Sequence, residues 1–569
     1  MDNTDNNVRN HNWIRSLAVN AVIALTIMLT TKLAYETNDD FVIASRIVEG
    51  YPEAFFVNYY LCAPLAWLQK LLPGPNVYVI SQLIASFASF TCIFKLILDR
   101  SERFIVPLVS AVVIALFSLD HYCALQFTKT AAIATTAAVM LMVDIVIRDR
   151  GIGYWILGAV LLWYGSCLRV DGLIVMIGYA GLYVLKAVID NRKELREKIN
   201  ARRVIACVVM LLMIAGCYGL KKASYIANTR TPELAEYAEY NDLRSWVVDY
   251  SVLDDYEKNR AKFDEAGLSE NDIKLIRSWF FDYDGSASKE NLQKILDISD
   301  YPDAQRLSPK EAASEFTKAT VRSLRDFGST GIHIMVLALL ALWLLVEGNA
   351  TGRLFALGAG CATAVLHLYL YYIQRPAYRA TYVPDVCAAM WLLYVLAEMR
   401  GINARKIVCG AAVAVLSAAL IYPAYVNAAN TYDSNTGRIM SAEMQTYLGD
   451  RRDTFFVFDT GEKKSDPSYL TPLKAPDTQN ERNVLGAGSW GTLSPYLLDK
   501  LGRYGLHNPI KDLIDAGNAY YVGNKKVELL TEYYNKWYGD KDTAIYMTEA
   551  GEADGIKVWK VSRGPAGAQ

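Results

Sequence analysis

Cysteine is missing from the two long polar stretches of this 569-residue chain, about 221–326 and 427–569, so no disulfide staples either of them. The nine cysteines, Cys62, Cys92, Cys123, Cys167, Cys207, Cys217, Cys361, Cys387 and Cys409, all lie in or beside apolar segments. None is spaced as a metal site, so they read as small core hydrophobes. A chain without staples in its polar parts fits a bacterial cell surface. Charge is scarce too: 21% of residues are charged, against 53% hydrophobic, and the net charge is −1. That leaves no basic footprint, and no Gly-rich phosphate loop of the P-loop type is present, which excludes nucleic acid as a partner. The mixture is too apolar for ordinary globular domains and too charged for a bare helical bundle, which implies a membrane protein carrying water-soluble parts. No internal repeat is evident, and the N-terminus lacks a cleavable signal pattern, so the first apolar segment is expected to act as a signal anchor.

A hydrocarbon core ~30 Å thick needs about 20 apolar residues per helix. Eleven stretches qualify: 16–35, 77–98, 104–120, 127–147, 153–168, 171–188, 204–220, 328–346, 353–373, 380–398 and 406–425. Residues 55–72 would make a twelfth, but Asn58, Pro64 and Lys70 interrupt them and Pro-Gly-Pro follows at 73–75. Flanking charge decides against it, because cytoplasmic loops are enriched in Lys and Arg. With eleven spans every short inner loop is basic: Arg9/Arg15, Arg100/Arg103, Arg148/Arg150, the run Arg192 to Arg203, Arg353, and Arg400/Arg405/Lys406. The expected organisation is therefore a transmembrane core at 1–220 with surface-lying helices in an outer loop at 39–76. A helical insert at 221–326, further transmembrane helices at 327–426 and an α/β domain at 427–569 complete it. The N-terminus is expected in the cytoplasm and both polar domains outside it.

Local signals support those domain types. Ser269-Glu270-Asn271-Asp272 has capping-box form ahead of an apolar run, and Ser286 or Ser288 is placed to cap a helix running to Ile295. Asp282-Tyr283-Asp284-Gly285 resembles a calcium loop, but its glycine stands fourth instead of sixth, so a helix cap is the better account. In the C-terminal region strand-like 454–460, 519–523, 543–549 and 557–562 alternate with helical 495–505, 509–516 and 526–539, the pattern of a small α/β module.

With this topology the outer boundary collects polar residues from separate segments. Asp39 and Asp40 follow the first span. Asp120, His121, Gln126 and Lys129 join the third and fourth, Arg169 and Asp171 the fifth and sixth, and Gln374, Arg375, Arg379 and Asp385 the ninth and tenth. A carboxylate beside such cations could deprotonate a hydroxyl while the cations hold a phosphate. Arginine binds two phosphate oxygens with its planar fork, whereas Lys129 would act as a point charge. Arg375 and Arg379 share a side only if the segment is helical beyond Pro376, and Arg169 and Asp171 alternatively pair with one another. Tyr59, Tyr60, Tyr378 and Tyr382 also fall at this boundary, where rings stack on sugars or form an interfacial belt. In the insert, Arg244 either faces an acceptor or packs the domain.

Thr37-Asn38-Asp39-Asp40-Phe41 after the first span, surface helices in the first outer loop, many further spans and a C-terminal extracytoplasmic domain resemble the GT-C superfamily of integral-membrane glycosyltransferases. The segments Leu168-Arg169-Val170-Asp171, Tyr240 to Arg244 through Asp249-Tyr250, and Gly267 to Asp272 are similar to those of multi-span bacterial proteins of this kind. The resemblance implies a GT-C-like helical polytopic fold and transfer of a sugar from a polyprenyl-phosphate donor to a cell-envelope glycan or surface polymer on the outer face. It implies Asp39 or Asp40 as general base, Asp40 being preferred, with Arg169, Arg375, Arg379 and Lys129 on the donor phosphate, and Asp171, His121, Gln126, Tyr59, Tyr60, Tyr378, Tyr382 and Arg244 around the substrates. Some members use a divalent metal such as Mg2+ or Mn2+, and the absence of fixed ligand spacing here leaves that open. The alternatives are a polymerase or ligase of lipid-linked oligosaccharide, which shares the carboxylate and arginine logic, and a non-enzymatic flippase for lipid-linked sugars. A flippase requires charges along a path through the bundle, and the intramembrane polar residues are few, His367 and Asp144 being the clearest.

Overall fold

The computed structural model describes residues 3–148, 150–192, 201–250, 256–299, 306–401, 403–462, 464–480 and 482–565, with side chains from His11 onward. The Arg9 side chain and positions 193–200 of the basic run lie outside the described residues. Two compact units are present, one of residues 1–225, 307–434 and 470–475, the other of 226–306, 435–469 and 476–569.

The helices of the first unit are α1 (Asn3–Thr30), α2 (Asn38–Glu49), α3 (Tyr59–Leu71), α4 (Val77–Leu98), α5 (Ile105–Tyr122), α6 (Phe127–Arg148), α7 (Ile152–Arg169), α8 (Leu173–Asp190) and α9 (Ala201–Asn228). After residue 306 come α10 (Pro309–Arg325), α11 (Ser329–Glu347), α12 (Ala350–Tyr372), α13 (Tyr378–Leu396), α14 (Ala404–Ala419) and α15 (Ile421–Thr436). Nine stretches among the described residues are long and apolar enough to cross a membrane. One of them, Ile152–Asp190, holds both α7 and α8, because Arg169 leaves the helix at φ −159°, ψ 99°. Counting α13 as well, each of the eleven spans read from the sequence corresponds to a long helix. The doubtful segment at 55–72 contains α3, whose 13 residues rise only about 20 Å, too little for the apolar layer.

Start signals are local. Asn58, Asn76, Asn349 and Asn403 each accept an amide N–H of the first turn of α3, α4, α12 and α14. Ser308 and Glu311 cap α10 reciprocally, with Pro309 at its first position. This helix belongs to the membrane unit, so the insert ends at 306 and not at 326. α6 is the central helix, 89% of its apolar window being buried, and its small residues between Thr130 and Ala138 let neighbours approach closely. Two residues of β1 (Ala34–Tyr35) pair in parallel with two of β2 (Ala124–Leu125), tying the loop after α1 to the turn between α5 and α6.

Charged side chains gather at each end of these helices. At the end where α4, α6, α8 and α13 finish, Arg100 and Arg150 lie 2.7 and 2.5 Å from Asp144. Arg100 also bonds Glu398, Arg150 and Lys95 each approach Asp99 at 2.7 Å, and Lys186 approaches Glu398 at 2.9 Å. Two of the basic loops read from the sequence, those of Arg100 and Arg150, thus meet shared acids here.

In the second unit the two polar regions share one core. Leu275 and Phe280 of the insert pack with Phe455, Val457, Tyr521 and Tyr533. Strands β3 (Phe455–Phe458), β4 (Val484–Gly486), β5 (Ala519–Val522), β6 (Thr543–Ala553) and β7 (Ile556–Pro565) form a sheet of order β4-β3-β5-β7-β6, parallel for β4, β3 and β5 and antiparallel for the rest. Asp554-Gly555, both at positive φ, turn the β6–β7 hairpin. The Ser269–Asp272 capping box forms, and Ser288 caps the helix Lys289–Ile298. Asp282 serves this core instead of a cation: its carboxylate accepts from Tyr533, Tyr538 and Asn508, and burial raises its pKa.

Candidate active site

The β1–β2 ladder decides which side chains meet. Ala34 N–H donates to Cys123 O at 2.7 Å and Glu36 N–H to Leu125 O at 2.9 Å, which sets Glu36 beside the end of α5 and the start of α6. There the buried Lys129 ammonium lies 2.5 Å from Glu36 Oε2 and 3.0 Å from Asp120 Oδ1. The Tyr378 hydroxyl donates to the same Asp120 oxygen at 2.7 Å, and His333 Nε2 stands 3.5 Å from the other. Behind His333 the chain of groups continues: its Nδ1 is 3.8 Å from Asp385, which is bonded to His367 at 2.8 Å. The Phe117 ring stacks on His333 at 4.5 Å between centroids. A cavity of about 140 Å3 opens on this cluster, lined by Glu36, Asp120, His333 and Tyr378 together with Asn427 and Thr431 of α15.

Of the two adjacent aspartates only one is enclosed. Asp40, on α2 outside the membrane-spanning segments, has no exposed surface. Its Oδ1 accepts from Tyr78 and Gln82 at 3.0 Å each and its Oδ2 from the Phe127 amide at 3.3 Å. No cation among the described residues pairs with it, and burial pushes its pKa up to about 7 against the three hydrogen bonds. Asp39, one position earlier in the first turn of α2, is half-buried and accepts from the Thr37 hydroxyl at 3.4 Å.

His121, Gln126 and Tyr382 join this neighbourhood as supports. His121 bridges Ser86 at 3.0 Å and Tyr382 at 2.8 Å, and Gln126 Oε1 accepts the Thr128 and Lys129 amides at the start of α6. Arg379 sits half-exposed in the first turn of α13, directly after Tyr378, with no hydrogen bond or ion pair among the described residues. Arg375 precedes Pro376 outside the helix, its amide bonded to Leu370 O at 2.8 Å, so the two arginines do not share a helical face.

Other expected site residues go elsewhere. Arg169 and Asp171 approach one another at 3.6 Å, and Lys221 of α9 adds a second cation to Asp171 at 2.7 Å. Tyr59 and Tyr60 open α3 at this second place: Asn58 N–H donates to Cys167 O and Tyr59 N–H to Ser224 Oγ, both at 2.8 Å. Arg244 belongs to the second unit and is wholly buried there, bonded to Asp249 and Asn241 at 3.1 and 3.0 Å. That burial removes it from any substrate surface. Glu36 and His333 are the cluster members that the sequence reading passes over. Glu36 lay within reach of it, three residues before Asp39, and His333 is a lone histidine five residues into an apolar helix.

No group of three His, Cys, Asp or Glu side chains able to hold a metal is found among the described residues. Glu36 and Asp120 share the Lys129 ammonium. No family model matches the sequence, and neither does any curated protein. Among solved structures the chain is similar to the crystal structure of ArnT from Cupriavidus metallidurans bound to undecaprenyl phosphate, with 11% identity, 96% of this chain and 97% of that one covered, and a TM-score of 0.49. The apo form of that protein aligns over the same shares with 13% identity and a TM-score of 0.37.

Proposed function

We propose that this protein is a membrane glycosyltransferase that moves a sugar from a polyprenyl-phosphate-linked donor to a hydroxyl of a cell-envelope glycan or surface polymer. The observation that carries this reading is the cavity lined by Glu36, Asp120, His333 and Tyr378, with Asp39 three residues along the chain and Arg379, unpaired among the described residues, beside Tyr378. Asp39 is the base in this scheme, because Asp40 has both oxygens occupied and no exposed surface. Asp40 is a positioning residue that fixes α2 against α4 and α6.

In the transfer step the acceptor oxygen attacks the anomeric carbon, the bond from that carbon to the phosphate oxygen breaks, and the polyprenyl phosphate leaves with the electron pair. The hydroxyl proton passes to the Asp39 carboxylate. Arg379, at the N-terminus of α13, receives the phosphate charge with two parallel N–H donors. Lys129 holds the Glu36 and Asp120 carboxylates in place at the cavity wall. An apolar cleft of about 230 Å3 among α10, α11, α12 and α13, lined by Phe316, Leu337 and Ala359 and closed by His367, offers room for a prenyl chain. The cavity end is read as facing outward, with the N-terminus in the cytoplasm. Charged groups sit at the two ends of α6, with only Thr130, Thr135 and Thr136 as polar residues between Lys129 and Asp144, which favours an enzyme over a flippase with a polar path.

Purified protein given a polyprenyl-phosphate sugar and extracted envelope acceptor should transfer sugar. Asp39→Asn should lower the rate by about 10²–10⁴-fold, the usual worth of a general base. Wild-type rates in that variant would remove Asp39 from the mechanism, and a cytoplasmic location of a topology reporter within 226–306 would reverse the orientation.

A further inference from the structure

We infer that residues 470–475 are a strap that dips into a lipid leaflet, Leu473 forming one face with Trp67, Leu71 and Leu72 that takes the upper acyl-chain region of the bilayer. The inference is independent of the glycosyltransferase reading.

The strap lies far along the polar C-terminal stretch in sequence, yet it belongs to the membrane unit. It is clasped to the corner between α3 and α4. Asn76 N–H donates to Leu473 O at 2.9 Å, Ala475 N–H donates to Gly74 O at 3.0 Å, and Lys474 forms an antiparallel bridge with Pro75. The buried Gln69 side chain braces the same corner, donating to Leu72 O and Pro75 O at 2.8 and 2.9 Å and accepting from the Val77 amide at 3.1 Å.

The level of the corner follows from the helices that meet it. α4 starts at Val77, and its 22 residues rise about 33 Å, close to the thickness of the apolar layer. Just beyond its other end is Asp99, which Arg150, ahead of α7, approaches at 2.7 Å. The start of α4 and the end of α7 therefore share the opposite boundary. α3 joins those two points, since Asn58 N–H at its start donates to Cys167 O near the end of α7, and Gln69 at its finish holds Val77. It runs along the boundary, and the strap clasped to its end lies there too.

Exposure names the partner. Leu473 is 42% exposed, and among the described residues from 427 to 569 it is the one large apolar side chain left exposed. At the same corner Trp67, 65% exposed, and Leu71 and Leu72 project from α3 away from its buried Leu61, Leu65 and Ala66. Lys70 and Lys474 are exposed beside them, where long side chains carry ammonium groups to head-group phosphates. Apolar side chains with a tryptophan and flanking lysines, held where a spanning helix begins, have the chemistry of an interfacial anchor.

The test uses the full chain in lipid nanodiscs, with a fluorescent amino acid in place of Leu473, Leu72 or Ile84. Ile84, exposed on α4 and about 10 Å beyond Val77, is the deep reference. Nitroxides carried high or low on the lipid acyl chains, and iodide in the water, serve as quenchers. Labels at 473 and 72 should lose most of their emission to the high nitroxide and little to iodide, reading ~5–10 Å into the boundary between head groups and acyl chains, whereas the label at 84 should respond to the low nitroxide. Strong iodide quenching at 473 would overturn the strap as a membrane contact, and a response like that of position 84 would overturn its interfacial level. Protection of 473 from all three quenchers would mean that protein, such as a second copy of this chain, covers it, and would overturn lipid as the occupant.

Discussion

Asp39 and Asp40 are one bond-step apart in sequence and differ in almost every physical respect. A carboxylate with three neutral hydrogen-bond donors and no cation gains less from them than it loses by leaving water, so Asp40 holds its proton up to about pH 7. An unfolded aspartate releases that proton near pH 4. The native state therefore binds more protons across that interval, and the contribution of Asp40 to stability, complete below about pH 4, is lost as pH rises to about 7, by up to ~4 kcal/mol. Thermal unfolding of the detergent-purified protein between pH 4.5 and 8 should show this decline, and Asp40→Asn should flatten it. An equal slope in the variant would mean that another group titrates. None of this was legible in the sequence, because the donors Tyr78, Gln82 and Phe127 come from 38 to 87 positions away. The capping box at Ser269 was legible, since its whole physics lies within four residues.

Elements follow the same division between local and distant causes. The long helices were readable because span length and apolarity are properties of one contiguous stretch, and α3 failed as a span on that same count. β4, three residues long, was missed, and β1 and β2, two residues each, carry no pattern above chance. Yet β1–β2 is what gathers the candidate site, so Lys129 and His121 could be placed near the boundary from the sequence while their partner Glu36 could not. Contact between helices is equally invisible until they pack. Gly165 of α7 faces α6 so closely that a Cβ there would lie 2.8 Å from Thr135 Cγ2 and 3.1 Å from Ala131 O. Gly165→Val should therefore push α7 from α6 and cost about 1–3 kcal/mol, read as a lower melting temperature, whereas Gly178→Val, with open space at its Cβ, should change little. Equal melting temperatures for the two variants would show that the α6–α7 interface yields without strain.

At the scale of the whole molecule the charge pattern was the most transferable signal. Two loops grouped by their arginines come together in one ion network in which Asp144 holds Arg100 and Arg150, with Glu398 and Asp99 completing the balance. Because that network joins α6 to the α4–α5 and α6–α7 loops and to the end of α13, Asp144→Ala leaves two buried guanidinium groups without their shared partner and should cost about 3–5 kcal/mol. Purified variant protein should aggregate or melt well below the wild type, and wild-type stability would show that Glu398 and Asp99 suffice. The number of polar bodies was not legible: 221–326 and 427–569 read as separate domains, since the side chains that join them, such as Phe280 and Tyr533, are some 250 positions apart. The two-residue ladder between Ala34 and Ala124 bears on synthesis as well as architecture. Glu36 leaves the ribosome about 90 residues ahead of Lys129, so the first loop waits without that partner until the fourth long helix has been inserted. The Glu36 cavity is therefore a late product of membrane insertion, and a nascent chain halted before residue 125 lacks it altogether.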